Sequence, residues 1–445
     1  MNIILLSGGS GQRLWPLSSG IRAKQFLKVL RAPDGTHESM IQRVYRQLHE
    51  AGIDAPIVIS TTDAQKDIIQ AQLGDKVEIA LEPERRDTFP AIALAAVYLA
   101  SECHCRPDET VLVMPVDAYA EEGYFQTLLK MDKAVQDGMA DMVLMGIRPT
   151  YPSMKYGYIV PEAEQTSSLM RVSRFAEKPS VEKARELLDM GAFWNGGVFA
   201  FKMSYILDVV RRYIEPESYT YLRENYGKLR KISFDYEIVE ACQSIAMVSY
   251  YGMWKDLGTW NTLSDVMLEP YAGKVLSGEG TENTHVINEL DIPIIALGIK
   301  NSIVAAGPDG ILISDKVAST QLKPYVDRID QRPMYEKRRW GSYKVLSYMA
   351  HEDGNRSLTK HLLIEPGKEL SYQRHKSRDE VWTVVDGTGD LVIDGHVRNV
   401  RRGDVVYIDR GTLHSIRATT KLHMIEVQIG SELTEEDIER VDWEW

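Results

Sequence analysis

Residues 5 to 18, LLSGGSGQRLWPLS, combine residue types and a spacing that suggest chemistry. Gly8, Gly9 and Gly11 follow a short apolar run, and Arg13 comes two positions after the last of them. Glycines placed straight after a strand let backbone N–H groups approach a phosphate, and arginine presents a fork of donors to one. A dinucleotide site wants a third glycine where this chain has Leu14, and an acid about 20 residues on; the first acid here is Asp34. A P-loop wants Lys and then Ser or Thr where this chain has Gln12 and Arg13. The plain alternative is a structural strand-to-helix turn.

The elements that must hold this loop alternate between two periods. NIILLS reads as a buried strand, and SMIQRVYRQLHEAG as a helix with Met40, Ile41, Val44 and Leu48 on one face and Gly52 as its stop. APIVIST, VEIALEP, TVLVMPVDAY and ADMVLMGI read as further strands, separated by helical stretches such as DAQKDIIQAQLG and FPAIALAAVYLAS. This alternation predicts an α/β domain: a mostly parallel sheet with helices on both faces, binding ligands at the carboxyl ends of its strands. From about residue 270 the helices thin out into short strands broken by turns such as Pro308-Asp309-Gly310. QRPMYEKRR, 331 to 339, reads as a polar linker, and the strands and glycine turns beyond it predict a small β-barrel or jelly roll.

The bulk composition narrows the function. The chain has 445 residues and a net charge of −12, from 52 Lys and Arg against 64 Asp and Glu. With no basic block to offset it, that charge argues against nucleic-acid partners and leaves small anionic substrates open. Cys103, Cys105 and Cys242 make no disulfide framework, and the CHC spacing is too tight for a zinc knuckle. MNIILLSGG lacks the basic start and long apolar core of a signal peptide, and AIALAAVYLA falls short of the ~18 residues a membrane helix needs. The expectation is a soluble, cytoplasmic protein with no membrane partner; a homo-oligomer stays open.

GGSGQRLWPLSSGIRAKQFLKV resembles the N-terminal motif of sugar-phosphate nucleotidylyltransferases, specifically of mannose-1-phosphate guanylyltransferases, with Ala23 in place of a proline. The resemblance continues in order through EPERRDTFPAIALAA (Asp87 for Asn), MPVDAY (Ala118 for His), YGYI, RFAEKP, WNGGVF, SFDYEIVE and WKDLGTWNTL, spanning roughly residues 1 to 267. It implies a Rossmann-like domain that transfers GMP from GTP to mannose 1-phosphate, with Mg²⁺ as cofactor. Carried over residue by residue, it implies catalytic roles for Arg13, Lys24, Asp117 and Asp256, the two aspartates also holding Mg²⁺. It implies nucleotide contacts at Gly8, Gly9, Gly11, Glu82, Arg86 and Thr88. Sugar-phosphate contacts fall to Gly157, Glu177, Lys178, Asn195 and Gly196. A nucleotidylyltransferase for another sugar 1-phosphate is the alternative.

From Gly367, Gln373, His375 and Glu380 sit at the spacing at which cupins place metal ligands, with Gln in the first His position, and GDVVYIDRGTLH matches the second cupin motif up to His414. On a strand Gln373 and His375 share a face. Gln373, His375, Glu380 and His414 together suit Zn²⁺ or another divalent ion. Residues 331–445 resemble the type II phosphomannose isomerase domain, and 268–330 then form a β-rich connecting segment. Lys376, Ser377 and Val381 stand where the isomerase motif has histidines. Two readings of the barrel follow: interconversion of mannose 6-phosphate and fructose 6-phosphate, or a metal-binding barrel without catalysis.

Overall fold

A computed structural model describes residues 1–9, 11–19, 22–162, 168–434 and 437–445; Ser10 of the glycine loop lies outside them. The chain divides into two compact units, Met1–Leu14 with Ala23–Leu268, and Trp15–Arg22 with Glu269–Trp445.

The first unit is built on a nine-stranded sheet. Its strands are β1 (Asn2–Leu6), β2 (Ile57–Thr62), β3 (Glu78–Glu82), β4 (Thr110–Pro115), β5 (Met142–Ile147), β6 (Tyr158–Pro161), β7 (Leu169–Ala176), β8 (Phe193–Lys202) and β9 (Ile245–Tyr250), in the order β3-β2-β1-β4-β8-β5-β9-β7-β6. The strands up to residue 115 pair in parallel, as does β5 with β9. β8 enters antiparallel between β4 and β5, and β7 runs antiparallel to β6 and β9, so the sheet as a whole is mixed. Large α/β sheets commonly carry such strands, and hydrophobic patterning does not report strand direction.

Period-two alternation along β1 feeds two cores. Ile3 and Leu5 join the helices Met40–Glu50 and Glu122–Gln136 on one face; Ile4 joins Thr88–Ser101 and Met203–Arg211 on the other. The amphipathic helix Met40–Glu50 buries Met40, Ile41, Val44 and Leu48, starts at a Ser39–Gln42 capping box and stops before Gly52, whose φ is +77°. The carboxyl ends of β1, β3 and β4 lead to the glycine loop, Glu82 and Asp117; the start of β8 lies beside the end of β5, Trp194 opposite Ile147.

In the second unit, residues 271–315 form short strands stacked in parallel, Tyr271–Ala272 on His285–Asn288 on Ser302–Gly307, and a hairpin returns through Gly310–Asp315. Trp15–Arg22 packs here: the Trp15 ring fills the space a side chain at Gly310 would need, and Arg22 makes a two-pronged pair with Glu289 at 2.7 Å on both arms. The barrel comprises a six-stranded and a five-stranded sheet. The stretch read as a linker is partly a strand of it: Tyr335–Arg338 pairs antiparallel with Gly341–Ala350 and buries Glu336. Nothing in its high charge marks Glu336 as the residue that turns inward.

Candidate active site

Two constellations assemble, one in each unit. In the first, the glycine loop is braced from beneath. Gln25 donates to the Ser7 carbonyl at 2.9 Å, and Gln65 to the Gly9 carbonyl at 3.3 Å. Gly11 has φ +65°, and a Cβ there would stand 2.7 Å from the Ala23 Cα and 2.9 Å from the Lys24 nitrogen. That approach seats the short 3-10 turn Lys24–Phe26 against the loop.

Lys24 points from this turn between two carboxylates. Its Nζ lies 2.6 Å from Asp117 Oδ2 and 3.3 Å from Asp256 Oδ1. Asp117 comes just before the strand Ala118–Ala120 and Asp256 ends the facing strand Trp254–Asp256, opposite Ala118. The Lys24 side chain is only 16 % exposed. Burial alone would lower its pKa, but Asp117 and Asp256 outweigh it and raise the value; burial would likewise raise that of Asp117, and Lys24 pulls it down instead. Arg13, at the loop, is exposed.

Glu82, Arg86 and Thr88 are engaged with the segment from Tyr226 to Phe234. Tyr226 donates to Glu82 at 2.9 Å, Arg86 donates to the carbonyls of Gly227 and Leu229 at 3.2 and 3.1 Å, and the Phe234 amide donates to the Thr88 hydroxyl at 2.8 Å. Burial raises the Glu82 pKa against hydrogen bonds from Tyr226 and Ser60. Glu82 Oε1 sits 3.5 Å from where a Cβ of Gly8 would be, so this braced segment forms the wall beside the loop. Asp87 between them adopts φ +71°, ψ −176°, a region rare outside glycine, and caps Thr88–Ser101.

Gly157, Glu177, Asn195 and Gly196 also converge. The Asn195 amide donates to the Gly157 carbonyl at 2.8 Å, and a Cβ on Gly157 would lie 2.4 Å from Glu177 Oε2. Glu177 Oε1 takes the Lys178 ammonium, while its Oε2 is buried without a hydrogen-bond partner. Lys178 itself has φ +43°. Asn195 and Gly196 lie where β8 slips register against β5, a bulge that re-aims side chains at a strand end. Sequence reasoning missed Asp235, which accepts from Asn195 at 2.6 Å; burial and the Glu177 carboxylate push its pKa up to about 7. It also missed a cavity of about 360 Å³ beside Asp256, walled by Tyr151, Tyr156, Trp194 and Trp254.

The second constellation lies in the barrel. His375, Glu380 and His414 are buried, with one ligand atom from each inside a 4.8 Å cluster. His375 Nδ1 faces the Asp437 carbonyl at 3.0 Å, and His414 Nδ1 the Thr412 carbonyl at 2.9 Å. A carbonyl only accepts, so the proton sits on Nδ1 and the lone pair on Nε2. Each Nε2 then points at Glu380, at 3.2 Å from His375 and 3.5 Å from His414. Burial lowers the His375 pKa, which favours the neutral ring. His414 Nε2 is buried and has no hydrogen-bond partner, which suits a nitrogen that ligates a cation. Gln373 meets His375 with its amide nitrogen at 3.4 Å, while its oxygen takes the Ser371 hydroxyl.

Sheet topology and loop together define a nucleotidyl transferase, and residues 2–271 match the nucleotidyl transferase family. Residues 329–443 match the mannose-6-phosphate isomerase C-terminal family. The chain is 32 % identical to the alginate biosynthesis protein AlgA of Pseudomonas putida, over 99 % of this chain and 95 % of that protein. It is 30 % identical to the mannose-1-phosphate guanylyltransferase of Escherichia coli K12, over 98 % and 97 %. A Thermus thermophilus crystal structure described as a mannose-1-phosphate geranyltransferase superposes with a TM-score of 0.60 at 30 % identity, over 74 % of this chain and 98 % of that one. The chain belongs to the mannose-1-phosphate guanylyltransferase family. Among the described residues no helix is long and apolar enough to cross a membrane.

Proposed function

We propose that this protein transfers GMP from GTP to mannose 1-phosphate, forming GDP-mannose and releasing pyrophosphate. The observation that carries this is the meeting of Lys24, Asp117 and Asp256 beside the glycine loop, although Lys24 and Asp256 are 232 residues apart in sequence. A phosphate oxygen of mannose 1-phosphate attacks the α-phosphorus of GTP; the bond to the β-phosphate oxygen breaks, and that oxygen leaves with pyrophosphate. Such a transfer asks the protein for position and positive charge.

The backbone at Gly8, Gly9 and Gly11 lines the phosphates, exposed Arg13 offers forked donors to them, and Lys24 neutralises the leaving group. Asp117 and Asp256 converge on the Lys24 ammonium; with Lys24 turned to the phosphates, the two hard carboxylates would be free to hold Mg²⁺. Mg²⁺ held by them would supply further charge neutralisation to the phosphates. The wall Glu82–Thr88 borders the base, with Arg86 holding its shape. Glu177 Oε2, lacking a partner, accepts a sugar hydroxyl; Gly157 lets Glu177 and Asn195 close on one another and Gly196 lets its strand pack on Ile147, Asn195 orients the ring, and Lys178 meets its phosphate. The aromatic cavity beside Asp256 borders the same ring. A matrix of nucleoside triphosphates against sugar 1-phosphates tests the reading: GTP with mannose 1-phosphate gives the highest kcat/KM, and a different best pair overturns it.

The orphaned His414 Nε2 favours a second reading for the barrel. His375, Glu380 and His414, with Gln373 turned to present its oxygen, hold a divalent ion such as Zn²⁺, and mannose 6-phosphate and fructose 6-phosphate interconvert there. A metal held by these residues would polarise the sugar carbonyl. The chain must still move a proton between two carbons, and Glu380 and His414 are ligands in this arrangement. Metal-loaded protein that binds Zn²⁺ but leaves mannose 6-phosphate unchanged would reduce the barrel to metal binding.

A further inference from the structure

The residues that orient His375 come from the far end of the chain. Gln373 and Arg374 pair antiparallel with Arg440 and Glu439, and the Val441 amide donates to the Tyr372 carbonyl at 2.9 Å, so a strand pairing alone would fasten this terminus. Asp437 makes contacts that such fastening does not need. Its carboxylate accepts from two successive backbone amides, Lys376 to Oδ1 at 3.0 Å and Ser377 to Oδ2 at 3.1 Å. Its carbonyl meets His375 Nδ1 at 3.0 Å.

We infer that Asp437 is the positioning residue of the barrel's metal site, an inference that rests on the metal reading above. The carboxylate pins the turn after His375, and the pinned carbonyl holds the imidazole in the tautomer and rotation that turn Nε2 toward Glu380 and His414. Partners of this kind, one bond removed from the metal, fix ring orientation and ligand basicity. The inference also explains two departures from the isomerase motif. Lys376 and Ser377 contribute backbone N–H groups here, so losing histidine side chains at those positions leaves this part of the site intact.

The test is Co²⁺ and Zn²⁺ titration of the full-length protein, read by the visible absorption of bound Co²⁺, with thermal unfolding of the apo and metal-loaded forms. Asp437→Ala should raise the metal dissociation constant about 10- to 100-fold, the usual loss when such a partner is removed. The metal-induced rise in the unfolding midpoint should shrink in step. Asp437→Asn, equal in size and able to accept only one of the two amide bonds, should fall between wild type and alanine, and it decides the matter if the alanine variant does not fold. A variant that unfolds earlier without metal but binds Co²⁺ within twofold of wild type overturns the inference and leaves Asp437 a fastening residue. Wild-type protein whose Co²⁺ binding is absent, or is unchanged in His375→Ala, overturns the metal reading itself.

Discussion

Arg13 and Lys24 divide the work of charge differently. Lys24 is already compensated by two carboxylates, whereas the exposed guanidinium of Arg13 can go to a ligand without breaking up the Lys24–Asp117–Asp256 cluster. Arg13→Ala should therefore keep the fold, by circular dichroism and thermal midpoint, and lower turnover by on the order of 10² or more. Asp117→Asn and Asp256→Asn should each shift the Mg²⁺ titration of activity to higher concentration, because an amide oxygen is a weaker ligand for a hard cation. An unshifted midpoint would return that aspartate to a structural role. Asp235 gives a pH signature. Its pKa stands near 7 in the folded chain against an ordinary 3.8. Between those values the folded state keeps a proton that the unfolded state has lost, so stability falls as pH rises from about 4 to 7, by at most about 1.4 kcal/mol per unit. Denaturant unfolding at intervals across this range should show the slope in wild type and its loss in Asp235→Asn. Asp117 and Asp256 were legible as acids that end apolar runs, and Lys24 through the family resemblance; Asp235 was not, since nothing in FDYEIVE says which acid turns toward Asn195.

At the scale of elements, glycines decide how closely strands and loops approach. A methyl group at Gly157 would run into Glu177 Oε2 at 2.4 Å. Gly157→Ala should raise KM for mannose 1-phosphate about tenfold or more and leave KM for GTP near its wild-type value, since small misplacements in a sugar subsite are costly; equal changes in both constants would count against the sugar assignment. Helices and parallel strands up to residue 115 were readable from periodicity, Met40–Glu50 most plainly. The antiparallel entry of β8 was not, because pairing direction leaves no mark on a buried strand's composition. Trp254 and Asp256 sit two apart on one strand and so share a face. That relation was available in WKD and would have placed an aromatic wall beside the Asp256 carboxylate.

Across the whole molecule, the motif that marks the family in sequence is shared between two units. Gly8, Gly9, Gly11 and Arg13 belong to the first, while Trp15 to Arg22 packs with residues 269–445. The segment 268–330, read from sequence as a connector, clusters with the barrel from Glu269 onward. Asp309 holds Met334 and Gln331 through bonds of 2.7 and 2.6 Å, which a reading of turns and composition cannot anticipate. Arg22→Ala should destabilise this second unit by about 1–3 kcal/mol through loss of the paired bonds to Glu289, measured as a lower denaturation midpoint; an unchanged midpoint would make the pair a surface contact of no consequence. The central claim, transfer of a guanylyl group to mannose 1-phosphate, is tested most directly by following GTP labelled at the α-phosphorus. With mannose 1-phosphate and Mg²⁺ the label should move into GDP-mannose in step with pyrophosphate release, and Arg13→Ala should slow both together. Label that stays in GTP, appears as free GMP, or passes faster to a different sugar 1-phosphate would contradict it.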